Sequence, residues 1–214
     1  MQSSPNPLIY LASASPRRSS LLTQIGVAHH VKPVDIDESH RAGEAPADYV
    51  VRLARTKAET LWQRLAEHER LPVLGSDTTV ALGAEILGKP ASREEGIAML
   101  RRLSGETHQV HTGVALRSPE GLATRLSTSE VTFRVLSVGE AESYWETGEP
   151  ADKAGGYAIQ GRAAAFIERI GGSYSGIVGL PLFETAELLG SLGWTSFETP
   201  TVSRFAEHAR GAAR

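Results

Sequence analysis

Residues 8–26 read LIYLASASPRRSSLLTQIG, and the rest of the chain is organised around this stretch. It divides into a short apolar strand, a small-residue turn and a helix. Ser15 has the side chain of an N-cap, able to accept from the second or third backbone amide. Pro16 suits the first helical position, where a missing N–H costs nothing. Leu21, Leu22 and Ile25 form an apolar stripe, and Gly26 stands where a left-handed residue ends a helix. Arg17 and Arg18 break the pattern, because the first turn already carries the positive end of the helix dipole. Two readings stay open for them. One is a solvated surface helix. The other is a phosphate cradle of free amides, the Ser13 and Ser15 hydroxyls and two guanidinium groups.

The composition narrows the classes. The chain has 214 residues, 41% hydrophobic and 22% charged, as expected of a globular domain with a sizeable core. A formal charge of -3 argues against a general nucleic-acid binder but leaves room for a local basic pocket. The absence of cysteine excludes disulfides, thiolate metal sites and cysteine nucleophiles. The opening MQSSPNP lacks a basic segment followed by an apolar core, and no apolar run is long enough to span a bilayer. The expected location is therefore cytoplasmic, without a membrane partner.

Outward from the first helix, an extended segment from Val27 to Val34 leads to the acidic residues Asp35, Asp37 and Glu38. These read either as a solvated loop or as oxygen ligands for a hard divalent cation. A long helix is expected from Asp48 to about His68, with Val50, Leu53, Ala54, Ala58 and Leu61 on one face. Lys57 falls within that apolar stripe and must snorkel or pair with a negative group. Leu71–Leu82 reads as a buried strand interrupted at Gly75, Ser76 and Asp77, where the aspartate either caps a turn or meets a cation. Gly88–Pro90 is a turn that exposes Lys89.

Ser92 with Glu95, and Ser137 with Glu140, have the spacing of capping boxes that start helices ending at Gly105 and Gly148. Between them, strands at Gln109–Leu116 and about Ala123–Leu136 flank a SPEG turn, which implies an antiparallel pair in a mixed sheet. The aperiodic, glycine-rich loop EPADKAGGYAIQG, residues 149–161, precedes a strand at Ala164–Ile170 and a loop at Gly171–Gly176. A last helix is expected from Pro181 to about Leu189. Cations at 57, 89 and 153 beside the basic first helix, with carboxylates nearby, suit a metal–polyphosphate ligand.

Six motifs in order then carry a resemblance: SASPRR (13–18), GSDTTV (75–80), GKP (88–90), LSGETHQVHTGVAL (103–116), EPADKAGGYAIQG (149–161) and IVGLPL (177–182). Together they resemble the Maf family of septum-formation-inhibitor-like nucleoside triphosphate pyrophosphatases, over nearly all of residues 8–189. The resemblance implies an α/β fold of two lobes around a long, curved mixed sheet flanked by helices, like that of inosine triphosphate pyrophosphatases. One domain would run from 8 to 192, with terminal extensions at 1–7 and 193–214. The implied reaction is hydrolysis between the α- and β-phosphates, with a divalent cation, Mg²⁺ or Mn²⁺.

By the same resemblance, Asp77 is the catalytic carboxylate, Lys57 a catalytic-site lysine, and Glu38 with Asp77 the metal side. Ser13, Ser15, Arg17, Arg18, Lys89 and Lys153 would bind substrate. Arg18, Thr78 and Gln160 would set base specificity. A branch of the family that prefers 7-methylguanosine triphosphate carries a glutamate where this chain has Gln160. A carboxylate suits the two N–H donors of a cationic base, whereas a carboxamide complements the donor and acceptor of thymine or uracil. The chain thus resembles the dTTP/UTP type. The alternatives are a nucleotide-responsive binding protein restraining cell division, as the family's name suggests, and a pyrophosphatase of the 7-methyl-GTP type; a homodimer is a further family-based expectation.

Overall fold

The computed structural model describes residues 8–195; the expected extensions lie outside these residues apart from 193–195. The strand–turn–helix of the opening stretch is β1 (Ile9–Leu11) and α1 (Pro16–Gln24), followed by β2 (His29–Val31) and the long α2 (Pro46–Arg64). Then come β3 (Val73–Leu82), β4 (Glu85–Leu87), α3 (Arg93–Leu103), β5 (Thr107–Ser118), β6 (Gly121–Phe133) and α4 (Val138–Trp145). The last described elements are β7 (Ile167–Gly171), α5 (Tyr174–Val178) and α6 (Leu182–Gly190). The strands form one sheet in the order β2-β1-β3-β5-β6-β7, with the short β4 also pairing with β3. Pairing is parallel from β2 through β1 to β3 and antiparallel from β3 to β7, so the sheet is mixed, as the SPEG turn implied. Among the described residues no helix is long and apolar enough to cross a membrane.

Local structure departs from the sequence expectations in identifiable places. β3 runs unbroken through Gly75, Ser76 and Asp77, because the nine residues Val73–Ala81 are all registered against β5. Neither glycine nor aspartate interrupts a strand whose backbone is already held by a neighbour. Ser15 is the N-cap of α1 by position but makes no side-chain cap. The Ser13 hydroxyl instead accepts from the Ser15 amide at 3.2 Å and from Arg18 at 3.0 Å. The Ser137–Glu140 capping box is complete. At α3 the Ser92 hydroxyl caps the Glu95 amide, but the Glu95 carboxylate turns to the Ala91 amide instead of closing the box. Helix α2 begins earlier than expected, at Pro46, and stops at Arg64, with a separate 3-10 turn at Glu67–Glu69. Residues 162–166 form a 3-10 turn, so the last strand starts at Ile167, and α5 occupies part of the expected loop.

Alternation along β3 divides its side chains between the two faces of the sheet. Leu74 and Val80 join the larger apolar core, while Val73 packs with Ala54, Ala58 and Leu61 of α2. Two glycines set how closely α2 approaches. A Cβ on Gly75 would stand 2.2 Å from the Ala54 carbonyl oxygen, and one on Gly113 2.5 Å from that of Val50. Any side chain there lifts the helix off the sheet.

Buried histidines make stability depend on pH, His108 most of all. His108 of β5 is 1% exposed, its Nε2 lies 2.8 Å from the Tyr157 hydroxyl, and its Nδ1 has no partner among the described residues. Burial pushes its pKa down to about 4, against about 6.5 for an exposed imidazole. The folded protein therefore holds fewer protons than the unfolded chain, and stability present above pH ~6.5 is lost as pH falls towards about 4. The contribution is about 3 kcal/mol. Burial lowers His111 in the same direction. The melting temperature is expected to fall between about pH 6.5 and 4, and His108→Gln to flatten most of that fall. An unchanged slope in the variant would assign the effect to other groups.

Candidate active site

The site lies at a break in strand pairing. β1 reaches β3 only at Val73 and Leu74, and β4 joins the same strand at Val80–Leu82. Between these, residues 75–79 have a strand partner on the β5 side alone, so both faces of β3 open to one hollow there. The cavity is about 570 Å³, and Asp77 and Thr78, neighbours that point to opposite faces, both line it. The Ala12–Ser15 turn, Glu38, Tyr49, Lys57 and Lys89 line it as well.

Three charges meet in its lining. Lys57 Nζ lies 2.7 Å from Asp77 Oδ1 and 2.7 Å from Glu38 Oε1. Lys57 and Asp77 are each 8% exposed, while Glu38 is a surface group. The stripe position of Lys57 is thus resolved by pairing, since an unpaired ammonium at this depth would cost several kcal/mol. Asp77 caps no turn. The acidic cluster separates: Glu38 joins the site, whereas Asp37 accepts from the Ser39 amide at 2.9 Å in a solvated loop. Tyr49, whose hydroxyl donates to the Glu38 carbonyl at 2.9 Å, is pushed up to about 12 by burial and by the negative Asp77 and Glu38.

Arg18 crosses to the far end of the chain. Its Nε donates to the Gly179 carbonyl at 2.8 Å, Nη1 to Ser13 at 3.0 Å and Nη2 to the Thr78 hydroxyl at 3.3 Å. Burial lowers its pKa, and Asp77 acts in the opposite direction; a guanidinium stays charged regardless. Thr112, directly across from Thr78 in β5, donates to Thr78 at 3.0 Å or to the Gly176 carbonyl at 2.8 Å. Among the described residues, neither Arg18 nor Lys89 is paired with a carboxylate. These cations face the cavity with unspent charge, which is what an incoming polyanion needs.

Of the residues singled out from the sequence, Ser13, Ser15, Arg18, Glu38, Lys57, Asp77, Thr78 and Lys89 line this one cavity. Arg17, Lys153 and Gln160 do not. They line a recess of about 40 Å³; Lys153 also borders a second of about 70 Å³, which Thr78 borders along with the main cavity. Arg17 donates weakly to the Val178 carbonyl at 3.4 Å, and Lys153 pairs with Asp152. Gln160 is exposed, and its carboxamide makes no hydrogen bond among the described residues. Tyr49 and Thr112 were not marked by the sequence. Tyr49 sits beside Val50 of the stripe and carries no motif; Thr112 lies within the motif 103–116, but its part depends on the register that sets it across from Thr78.

No cluster of three or more metal-ligating side chains occurs among the described residues. Glu38 and Asp77 nevertheless converge on a single cation, the Lys57 ammonium, and both offer hard oxygen donors. Magnesium is commonly held by one or two carboxylates completed by substrate phosphates and water. The pair fits such an ion.

The family model described as "Maf-like protein" matches residues 8–192. A protein of Alkalilimnicola ehrlichii named dTTP/UTP pyrophosphatase is 55% identical over 192 residues, 88% of this chain and 95% of that one. One of the same name from Hahella chejuensis is 51% identical over 86% of this chain and 92% of its own. A solved chain of the Staphylococcus aureus Ham1 protein aligns with a TM-score of 0.42 at 17% identity, over 59% of this chain and 71% of that one. With its motifs in order and a match spanning the whole described sheet, the chain belongs to the Maf family.

Proposed function

We propose that this protein hydrolyses dTTP and UTP to the nucleoside monophosphate and pyrophosphate. The observation that carries the reading is the convergence of Arg18, Lys57 and Lys89 with Asp77 around one cavity. Curated relatives at 51–55% identity bear the name of this activity. Arg18, Lys89 and the Ser13 and Ser15 hydroxyls would hold the phosphate chain, placing its α-phosphorus beside Asp77. Asp77 would accept the proton of the attacking water, and Lys57, donating to it at 2.7 Å, fixes the carboxylate for that task. Glu38 and Asp77 would hold the divalent cation, Mg²⁺ or Mn²⁺, which when bound neutralises phosphate charge. Pyrophosphate then leaves towards the cations.

Base selection would rest on Thr78, on Arg18, which donates to its hydroxyl at 3.3 Å, and on Gln160. A carboxamide presents both an acceptor and a donor, matching the edge of thymine or uracil, and the cationic 7-methylguanine would meet no carboxylate here. A purely nucleotide-sensing protein has no need of a buried carboxylate aimed at the α-phosphorus, so the Lys57–Asp77 pair favours the enzyme. A panel of nucleoside triphosphates with product analysis tests the whole reading. dTTP and UTP should exceed purine triphosphates and 7-methyl-GTP and yield pyrophosphate; release of orthophosphate with a diphosphate would place the cleavage elsewhere.

A further inference from the structure

Behind the recess, the loop that carries Gln160 is bracketed by hydrogen bonds from residues outside the cavity. The Ala158 amide donates to the Tyr144 hydroxyl at 3.0 Å, and that hydroxyl donates to Glu149 Oε2 at 3.1 Å. The same carboxylate accepts from the Arg162 amide at 2.9 Å. Between the two anchored amides the chain makes one turn, closed by the Gly161 amide on the Ala158 carbonyl at 3.0 Å, with Gln160 inside it. Tyr144 is buried in α4, its ring set edge-on against Phe166 at 5.2 Å. The carboxylate reaches its place only because residue 161 has no side chain: a Cβ there would stand 2.1 Å from Glu149 Oε2.

We propose that Tyr144 and Glu149 are positioning residues for base selection, acting as a clamp that fixes Gln160 against the recess. The proposal rests on the reading of Gln160 as the base-recognising group. Gln160 has no hydrogen bond of its own among the described residues, so its direction is inherited from its backbone. The two ends of that backbone are held by a single relay, Ala158 to Tyr144 to Glu149 to Arg162. Selectivity by a hydrogen-bonding amide is sensitive to displacements well under an ångström. Loosening the relay lets the carboxamide reach other base edges while the phosphate cradle, built on α1, β3 and Lys89, is untouched. Recognition of the base and retention of the triphosphate thus become separable.

The test compares kcat/KM for dTTP and GTP in three variants, with melting temperatures as the folding control. Gln160→Leu examines the underlying reading. Tyr144→Phe keeps the ring packing and removes the relay's centre; Glu149→Ala removes its far end. The expected result is a fall of about tenfold in the dTTP/GTP ratio for all three, carried by KM for dTTP with kcat little changed. Glu149→Gln keeps an acceptor and should restore part of the ratio. If Gln160→Leu lowers the ratio but folded Tyr144→Phe leaves it unchanged, the clamp is refuted and the base reading stands. If Gln160→Leu leaves the ratio unchanged, the base reading fails and the clamp falls with it. Should Glu149→Ala not fold, Tyr144→Phe alone decides.

Discussion

Replacing Asp77 by asparagine is expected to cut turnover of dTTP by about 10³-fold while a non-hydrolysable dTTP analogue still binds. The substitution keeps the volume and the hydrogen-bonding oxygen opposite Lys57, so the local fold has little reason to change. It removes the group that accepts the water's proton and one of the two carboxylates that meet at Lys57. Arg18, Lys89 and the hydroxyls of the Ser13–Ser15 turn are untouched, so the triphosphate keeps its principal contacts. The loss should therefore appear in kcat, with binding by calorimetry within a few-fold of the parent. Turnover within tenfold of the parent protein would place water activation on another group.

Gly75→Ala is expected to destabilise the protein by about 3 kcal/mol, a drop of about 6–12 °C in melting temperature for a chain of this size. The new methyl would meet the Ala54 carbonyl oxygen at 2.2 Å and the Ala58 amide nitrogen at 2.9 Å. Both are backbone atoms of a helix, and neither can step aside as a flexible side chain would. Either α2 rises from the sheet or β3 bends. A rising α2 also draws Lys57 away from Asp77, so the folded fraction should lose activity too. Gly139→Ala is the control, since a Cβ at that helical position meets nothing within 4 Å and should be neutral or stabilising. If Gly75→Ala melts within about 2 °C of the parent, close contact between α2 and the strand is not what holds this layer together.

Much of the local structure was legible because its causes are local. The Ser137–Glu140 box, the apolar stripe of α2 and the proline-started first helix each depend on residues within a few positions of one another. Errors arose where a distant neighbour overruled local preference. Gly75, Ser76 and Asp77 look like a break, yet the register with β5 carries the strand straight through them. Ser15 looks like a working cap, yet the hydroxyl in use belongs to Ser13, recruited by an arginine that also grips Gly179. The local pattern does not separate Arg17 from Arg18, although the resemblance gives only Arg18 a part in base specificity; a rotation of about 100° between successive helical residues sends only Arg18 into the main cavity.

The sequence by itself determined the strand–turn–helix at the start, the mixed α/β class, the stripe that buries Lys57 and the residue types suited to a phosphate chain. Only the tertiary structure decided which of them meet. Lys57 and Asp77 are 20 positions apart, Arg18 and Gly179 are 161 apart, and Gln160 reaches its recess through a relay that begins on α4. Periodicity and capping act over one or two turns of backbone, whereas convergence depends on strand order and register across the whole sheet. That is why the groups could be named from the chain and their gathering could not.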